Sequence, residues 1–220
     1  MRFATFVMSC AERRATLDAT LAGLSACGWP PVDEVILDDG VGARPIDRIH
    51  RTWRRLVKRA SLAQSEFVLL LEDDLVFGRW FTENLSSWSL LDSVGPGMAF
   101  YAALYNAGRP YLMRRPAERC LVADARFVWG SQALVMTPCT ARYLDENWDT
   151  AEGNPDQRMP LIAARVTPIY YHVPSLVNHA RVPTTWGGMD HVATDFDAEW
   201  RAAAPTRVDQ QPSAASAGLR

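Results

Sequence analysis

Three consecutive acidic residues, Glu72, Asp73 and Asp74, stand where a strongly apolar stretch of the chain ends. Residues 67–71 before them are all apolar, and residues 75–77 after them are apolar again. An apolar run without alternation is typical of a strand covered on both faces, and ligands bind at the carboxyl ends of such strands. Adjacent carboxylates among apolar neighbours need a positive group close by, either a divalent cation or an arginine. The alternative, a solvated acidic turn, fits these flanking residues poorly.

Two other predicted strands also end in polar residues. These residues are Cys10 and Arg13 after the first strand, and Asp38 and Asp39 after the second. If the strands are parallel, all three ends lie along one edge of the sheet, where they would hold a nucleotide. A diphosphate beside carboxylates needs a bridging cation, and hard oxygen ligands favour Mg²⁺ or Mn²⁺.

Strands and helices alternate along the chain, with no internal repeat. Apolar strands are predicted at 3–8, 32–37, 67–71, 98–103 and 167–173, a bent strand at 127–136, and helices at 11–26, 45–63, 80–91, 141–148 and 154–164. This order predicts an α/β fold, a mostly parallel twisted sheet with helices on both faces. We expect residues 1–200 to form a single domain and residues 201–220, which have few apolar anchors, to be a disordered tail.

Composition excludes several classes of protein. With 220 residues, 48% of them hydrophobic, the chain can bury one substantial core, and its net charge of -2 argues against a general nucleic-acid coat. Its four cysteines are widely spaced, which favours reduced thiols over a zinc knuckle or a disulfide framework. No stretch approaches the roughly 18 apolar residues of a membrane span, and the amino terminus lacks a signal-peptide pattern. These features predict a cytoplasmic protein without a membrane span.

The segments together resemble the GT-A class of nucleotide-sugar-dependent glycosyltransferases. The stretches that carry the resemblance are MSCAERRATLDATLAGL, VILDDG, FVLLLEDDLVF, WGSQALVMTP and VPSLVNHARVPTTWGG, which lie within residues 1–188. The resemblance implies a GT-A fold and a metal-dependent transfer of sugar from a nucleotide diphosphate sugar, expected to be uridine-linked, to a hydroxyl group. A nucleotide-sugar-binding module without turnover is the alternative. A nucleotidyltransferase is disfavoured, because no glycine-rich, lysine-bearing loop follows the first strand.

By position, Glu72-Asp73-Asp74 resembles the DxD-type motif of that class. The resemblance implies that Asp74 is a direct metal ligand and that Glu72 or Asp73 contacts the ribose or a water molecule. His179 resembles a late histidine that completes metal coordination, although an ordinary turn histidine is equally compatible with the sequence.

The resemblance also implies a pocket for the nucleoside. Asp38 or Asp39 is similar to the acid that reads the base, and Arg13 and the chain around Cys10 would line the base and ribose. We expect His172, which follows two tyrosines in a predicted strand, to be structural.

Glycosyl transfer with inversion, which we prefer over retention, needs a base for the acceptor hydroxyl. Asp156, in the first turn of the helix after Asn154, matches the position of an acid in the similar families. A helix-start acid favoured by the helix dipole is the competing interpretation. Asp124 is the second candidate.

Residue types suggest further contacts. A sugar pocket could be lined by Trp129, Gly130, Ser131 and Gln132, although a bend with a core tryptophan would look the same. From the basic helix, Arg54 and Lys58 could reach the donor diphosphate. The same basic face leaves a second acceptor class open, a hydroxymethylated base in DNA, beside the simpler glycan or small molecule.

Overall fold

The computed structural model describes residues 1–38, 40, 44–107, 119–182 and 192–203. The strands are β1 (Phe3–Ser9), β2 (Glu34–Leu37), β3 (Phe67–Leu71), β4 (Leu75–Phe77), β5 (Tyr101–Ala103), β6 (Cys120–Ala123), β7 (Ala133–Met136), β8 (Ile169–His172) and β9 (Val177–His179). The α-helices are α1 (Arg14–Ala26), α2 (Pro45–Ser61), α3 (Phe81–Ser86), α4 (Ser89–Asp92), α5 (Pro138–Glu146) and α6 (Pro155–Ala163). Asp39, part of the predicted nucleoside pocket, and residues 204–220 of the predicted tail lie outside the described residues.

Seven strands form one mixed sheet in the order β2-β1-β3-β7-β5-β8-β6. The β1–β2, β1–β3 and β5–β8 pairs are parallel, whereas β7 and β6 run antiparallel to their neighbours. Five of the seven strands therefore point in one direction, which confirms the predicted mostly parallel sheet. A separate two-stranded ribbon pairs β4 with β9.

Strand β3 lies in the interior of this sheet, and all of its side chains are buried. Val68 and Leu70 pack in the core beneath α2, α5 and α6, whereas Phe67, Leu69 and Leu71 pack in the second core beneath α1 and α3. Helices on both faces explain why this strand needs apolar residues at every position. The acidic triplet follows β3 directly, so this packing fixes its position.

Helix α2 carries the chain from β2 back to β3 and covers one face of the sheet. Pro45 occupies its first turn, and its fully buried stripe includes Trp53, Leu56, Val57 and Ala60. These residues recur at helical spacing, and each turn therefore contributes to the core. The exposed side of α2 carries Arg54, Arg55 and Arg59.

Several boundaries differ from the predicted ones. Strands β4, β6 and β9 were not predicted, and the predicted helix 80–91 divides into α3 and α4 around Trp88, whose backbone is extended. Gly130 has a φ of 95°, a left-handed conformation that favours glycine, and the predicted bent strand 127–136 reduces to β7. The packed chain continues into the predicted tail, because the amide of Ala202 donates to Asn84 Oδ1 at 2.8 Å.

His172 is the last residue of β8 and is fully buried. Its Nδ1 donates to the carbonyl of Pro174 at 2.7 Å, and its ring packs on Trp88 with ring centroids 4.8 Å apart. Burial lowers the pKa of His172 to about 3, so the imidazole stays neutral. These contacts are those of a structural histidine.

Candidate functional site

A cavity of about 560 Å³ opens at the carboxyl ends of β1 and β3. Its floor is formed by the acidic triplet, and its walls come from the end of β1, from α2, from the chain before β7 and from the start of α6. Of the residues predicted to form the site, the cavity brings together Cys10, Arg13, Asp38, Glu72, Asp73, Asp74, Gly130, Ser131, Gln132, Asp156 and His179. Residues far apart in the chain thus meet at one edge of the sheet.

Arg13 lies between the two buried carboxylates and supplies the positive charge that they require. Its Nε lies 3.2 Å from Asp73 Oδ1, and its Nη2 lies 2.5 Å from Asp74 Oδ2. Asp73 and Asp74 are only 5% and 3% exposed, so neither faces bulk water. Ser9 at the end of β1 donates to Asp73 Oδ2 at 2.5 Å. Both parallel strands therefore contribute to holding the acidic turn.

His179 reaches the same carboxylate from the β4–β9 ribbon. The register pairs Leu75 with His179, and the amide of Ala180 donates to the carbonyl of Asp74 at 2.7 Å. His179 Nε2 lies 3.1 Å from Asp74 Oδ2, while its Nδ1 donates to the carbonyl of Ala180 at 2.9 Å. This ribbon places an imidazole and a carboxylate side by side, although they are 105 residues apart in the chain.

The pKa values of this cluster shift in different directions. Burial raises the pKa of Asp74, but the hydrogen bond and charge of His179, with Arg13, outweigh it and hold the pKa below its usual value. Burial prevails at Asp73, whose pKa is raised despite Ser9 and Arg13. The bond to Asp74 raises the pKa of His179. Of the three acids in the turn, Asp74, next to the histidine, is thus the one whose pKa is lowered.

Asp74 Oδ1 is the atom on which a metal assignment can be tested. It is buried and has no hydrogen-bond partner within the described residues. A buried carboxylate oxygen without a partner is costly unless a ligand or cation meets it. The described ranges contain no group of three or more His, Cys, Asp or Glu side chains arranged to hold a metal. Asp74 and His179 would supply two ligands to a cation at this atom, and the remaining ligands would have to come from a bound molecule.

Glu72 faces the side of the cavity opposite to Asp73. Its Oε1 accepts a hydrogen bond from Ser131 Oγ at 2.6 Å, and its amide donates to the carbonyl of Gln132 at 2.9 Å. Burial and the nearby charge of Asp74 raise the pKa of Glu72 to about 8. Gly130 has a φ of 95°, and a Cβ there would also lie 3.2 Å from Tyr105 Cδ1, so this position favours glycine. The chain before β7 thus forms a wall directly against the acids.

Asp38 lines the cavity at the end of β2, where Arg48 holds it. Arg48 Nε lies 2.8 Å from Asp38 Oδ2, and Arg48 itself lines the cavity. The sequence analysis proposed Arg54 and Lys58 as contacts of the donor diphosphate, and neither residue lines the cavity. Arg54 pairs with Asp149 Oδ2 at 3.1 Å. The arginine of α2 at this site is therefore Arg48.

The two candidate bases occupy different places. Asp156 lies in the first turn of α6 and lines the cavity with the acids. Asp124 lies outside it, where it accepts from the amide of Arg126 at 3.0 Å and its side chain pairs with the Arg126 guanidinium. These hydrogen bonds lower the pKa of Asp124 to about 2. Trp129, 38% exposed, is also absent from the cavity lining.

One wall of the cavity consists of residues that the sequence analysis did not assign to the site. They come from the amino-terminal half of α2 and comprise Pro45, Ile46, Ile49, Thr52 and Trp53. The spacing of the apolar ones is that of a core-facing helix stripe. Only their position near the strand ends distinguishes these cavity-lining residues from the residues of the same stripe that pack in the core.

No protein-family model matches the chain, and no curated protein matches it either. Solved structures do match. Over 82% of this chain and 60% of that one, S. aureus TarS 1–349 is 12% identical with a TM-score of 0.51. The chain has the GT-A fold.

Two further glycosyltransferase structures are similar over more of their own length. The galactosyltransferase LgtC, in complex with donor and acceptor sugar analogs, is 13% identical over 89% of this chain and 92% of its own, with a TM-score of 0.47. A glycosyltransferase involved in glycosylation of the major capsid of PBCV-1 is 11% identical over 82% and 94%, also with a TM-score of 0.47. At such identities the likeness extends to the fold alone.

In the described part of the chain, no helix combines the length and apolarity needed to cross a bilayer.

Proposed function

We propose that this chain is a metal-dependent glycosyltransferase that moves a sugar from a nucleotide diphosphate sugar, uridine-linked, to a hydroxyl group of an acceptor. The observation that carries the proposal is the cavity at the strand ends. Within a GT-A fold, it gathers buried acids, an arginine and a histidine on its floor and a further acid, Asp156, on its wall. Ligands of open α/β sheets bind at this edge.

Asp74 and His179 would hold Mn²⁺ or Mg²⁺. When bound, such a cation neutralises the negative charge that develops on the departing diphosphate. Asp74 Oδ1 supports this assignment, because it is a buried acceptor that has no hydrogen-bond partner among the described residues. Arg13, held by both aspartates, keeps their carboxylates in place and adds positive charge at the floor.

Different walls of the cavity would bind different parts of the donor. Cys10 and Asp38 at the ends of β1 and β2 would contact the nucleoside, and Arg48 holds Asp38 in position. Ser131 and Gln132 lie on the other side of the acids, where the transferred sugar would rest. This division follows from the opposite orientations of Asp73, toward β1, and Glu72, toward β7.

Asp156 would accept the proton of the acceptor hydroxyl as its oxygen attacks the anomeric carbon. Attack from the side opposite the diphosphate inverts the configuration, which is the outcome we propose. Asp156 lies on a helix start rather than in the acidic triplet, so it can face the floor across the cavity. Such a separation suits a base that must remain apart from the metal.

A glycan or small-molecule acceptor suits the surface better than DNA. On the basic face of α2, Arg54 pairs with Asp149 and Arg59 pairs with Glu34, while Arg55 donates to the carbonyl of Leu37. Side chains already paired with neighbouring carboxylates offer less charge to a phosphate backbone.

A panel of nucleotide sugars with Mn²⁺ tests the proposal through thermal shift and release of the nucleoside diphosphate. A bound donor raises the melting temperature by mass action, and chelation should remove that shift. Asp156→Asn should still bind the donor while losing most turnover, whereas the matched variant Asp124→Asn should retain both.

The other outcomes of this panel would each contradict one part of the proposal. Donor binding without turnover with any acceptor would favour a nucleotide-sugar-binding module. Donor binding that survives chelation would contradict the metal assignment. Full activity in Asp156→Asn would remove Asp156 as the base.

A further inference from the structure

His179 occupies a position in the β4–β9 ribbon where its own amide cannot bond to the neighbouring strand. The register pairs Leu75 with His179, and the amide of Ala180 donates to the carbonyl of Asp74. In an antiparallel ladder this pattern makes Leu75 and His179 a non-hydrogen-bonded pair, so the amide of His179 points away from β4. Within the described residues β9 pairs with no strand except β4, so this amide needs a partner from outside the ladder.

The side chain of Asn178 supplies that partner. Its Oδ1 accepts a hydrogen bond from the amide of His179 at 2.9 Å, and a second from the amide of Ala193 at 2.9 Å. A carbonyl oxygen has two lone pairs and can serve two donors at once. One side-chain oxygen therefore joins β9, next to its histidine, to the segment of residues 192–203.

Segment 192–203 is itself anchored to the core. Asp195 accepts from Ser175 Oγ at 2.6 Å and from Asn106 Nδ2 at 3.4 Å. Ser175 and Asn106 are buried, so the anchor is shielded from competing water. The main chain at His179 is thus held from two sides, by β4 through the ladder and by segment 192–203 through Asn178.

We propose that Asn178 is a positioning residue of the site, which holds His179 against Asp74 so that both can bind one divalent cation. The inference rests on the proposed function, because it takes Asp74 and His179 as the protein ligands of that cation. With two protein ligands, the placement of each has a large effect on affinity. Groups that orient metal ligands typically change metal affinity or activity by about tenfold or more when they are removed.

Amide hydrogen exchange, followed by NMR without metal or donor, tests the contact itself. The amides of His179 and Ala193 should both be protected in the wild-type protein. In Asn178→Ala both should exchange at least about tenfold faster, because their shared acceptor is lost. In Asn178→Asp an oxygen remains at the same place, so both amides should stay protected.

Mn²⁺ binding tests the consequence for the site. The probe is the electron paramagnetic resonance signal of free Mn²⁺, titrated with protein in the presence of UDP. Asn178→Ala should weaken Mn²⁺ binding about tenfold or more. Asn178→Asp should bind Mn²⁺ at least as tightly as the wild type, since it keeps the acceptor and adds negative charge.

Ser175→Ala is the matched control for a purely structural role. It removes the hydrogen bond to Asp195 and so loosens the same segment, but Ser175 has no hydrogen bond to His179 within the described ranges. We expect a lower melting temperature, with Mn²⁺ affinity within about twofold of wild type. An equal loss of Mn²⁺ affinity in Ser175→Ala and Asn178→Ala would overturn the inference, because general loosening would then explain both.

Failure of the inference is distinguishable from failure of the proposed function. Wild-type protein that binds no Mn²⁺ in the presence of UDP contradicts the metal assignment of the proposed function. Wild-type protein that binds Mn²⁺, with equal affinity in Asn178→Ala, overturns this inference alone, as does a His179 amide that exchanges equally fast in both. Should Asn178→Ala fail to fold, Asn178→Ser, whose oxygen lies one bond closer to the backbone, takes its place with the same expected losses.

Discussion

The acidic turn after β3 and the basic face of α2 are both concentrations of charge, yet they are built in opposite ways. In the turn, Asp73 and Asp74 are 5% and 3% exposed and share one arginine. On the helix, the side chains of Arg54 and Arg59 are 48% and 55% exposed, and each pairs with a surface carboxylate. The first arrangement loses hydration and the second keeps it.

The two arrangements differ in their free-energy cost. Burying carboxylates costs free energy that a single shared arginine offsets only in part, whereas exposed pairs cost little and contribute little. The buried cluster contains Asp74 Oδ1, an acceptor atom that no group in the described ranges meets with a hydrogen bond. We therefore expect substitutions in the turn to have large effects, and equally drastic substitutions on the helix face to have small ones.

The largest effect is expected from Asp74→Asn, which removes the charge that would hold the cation. We expect release of UDP from the accepted donor, with Mn²⁺ present, to fall about 1,000-fold, because stabilisation of the leaving diphosphate is lost. Arg54→Gln, which removes one charge from the basic face, should stay within about twofold of wild type. Retention of more than a tenth of the activity by Asp74→Asn would show that no essential cation is bound there.

Arg13→Gln should be the most destabilising change in the turn. Removal of the guanidinium leaves Asp73 and Asp74 buried with reduced compensation, which we expect to lower the free energy of unfolding by about 3 kcal/mol. Urea denaturation measures this change.

The control for Arg13→Gln is the same substitution in an Asp73→Asn, Asp74→Asn background. There the guanidinium has no carboxylates to compensate, so its loss should cost less than about 1 kcal/mol. An equal loss in both backgrounds would mean that Arg13 stabilises the fold through other contacts.

Thr20 of α1 positions the acidic turn through its backbone. Its Oγ1 donates to the carbonyl of Asp73 at 2.6 Å and accepts from the amide of Leu75 at 3.0 Å. Thr20→Val keeps the shape and removes both bonds, so we expect kcat to fall about tenfold, with the KM for donor changed much less. Thr20→Ser should restore kcat. A kcat that Thr20→Ser fails to restore would mean that the methyl group, not the hydroxyl, sets the position of the turn.

The half of the fold around β3 could be predicted because its signals are local. The apolar run of residues 67–71 identifies a doubly covered strand, and the acids follow it without a gap. In contrast, β9 is only three residues long and pairs with a strand about a hundred residues earlier. No local pattern distinguishes so short a segment, so the sequence indicated His179 by resemblance and the register that places it beside Asp74 remained hidden.

Local sequence also could not separate the candidate site residues that line the cavity from those that lie elsewhere. Asp124 and Asp156 both precede or begin short helical segments, and this local signal is the same whether the segment lies at the cavity or away from it. Arg48 and Arg54 differ by six residues on α2, about 600° of rotation, and therefore point in different directions. Helical geometry alone separates these two arginines, but only the fold shows that the side of Arg48 faces the cavity.

The smallest effect is expected from neutralising the basic face of α2. The double variant Arg54→Gln, Arg59→Gln removes the surface ion pairs of both side chains. We therefore expect the free energy of unfolding to change by less than about 1 kcal/mol, and the change to vanish in about 1 M salt. Donor turnover should remain within about twofold of wild type, since neither side chain lines the cavity.

The same double variant tests whether the basic face binds DNA. Against a duplex containing hydroxymethylated bases, a DNA-binding surface would give an affinity that falls steeply with salt and falls further in the variant. We expect wild type and variant to show equally weak binding, because Asp149 and Glu34 already neutralise these two arginines. A loss of tenfold or more in the variant would instead place the acceptor on this face, and the exposed charges would then rank with the buried ones.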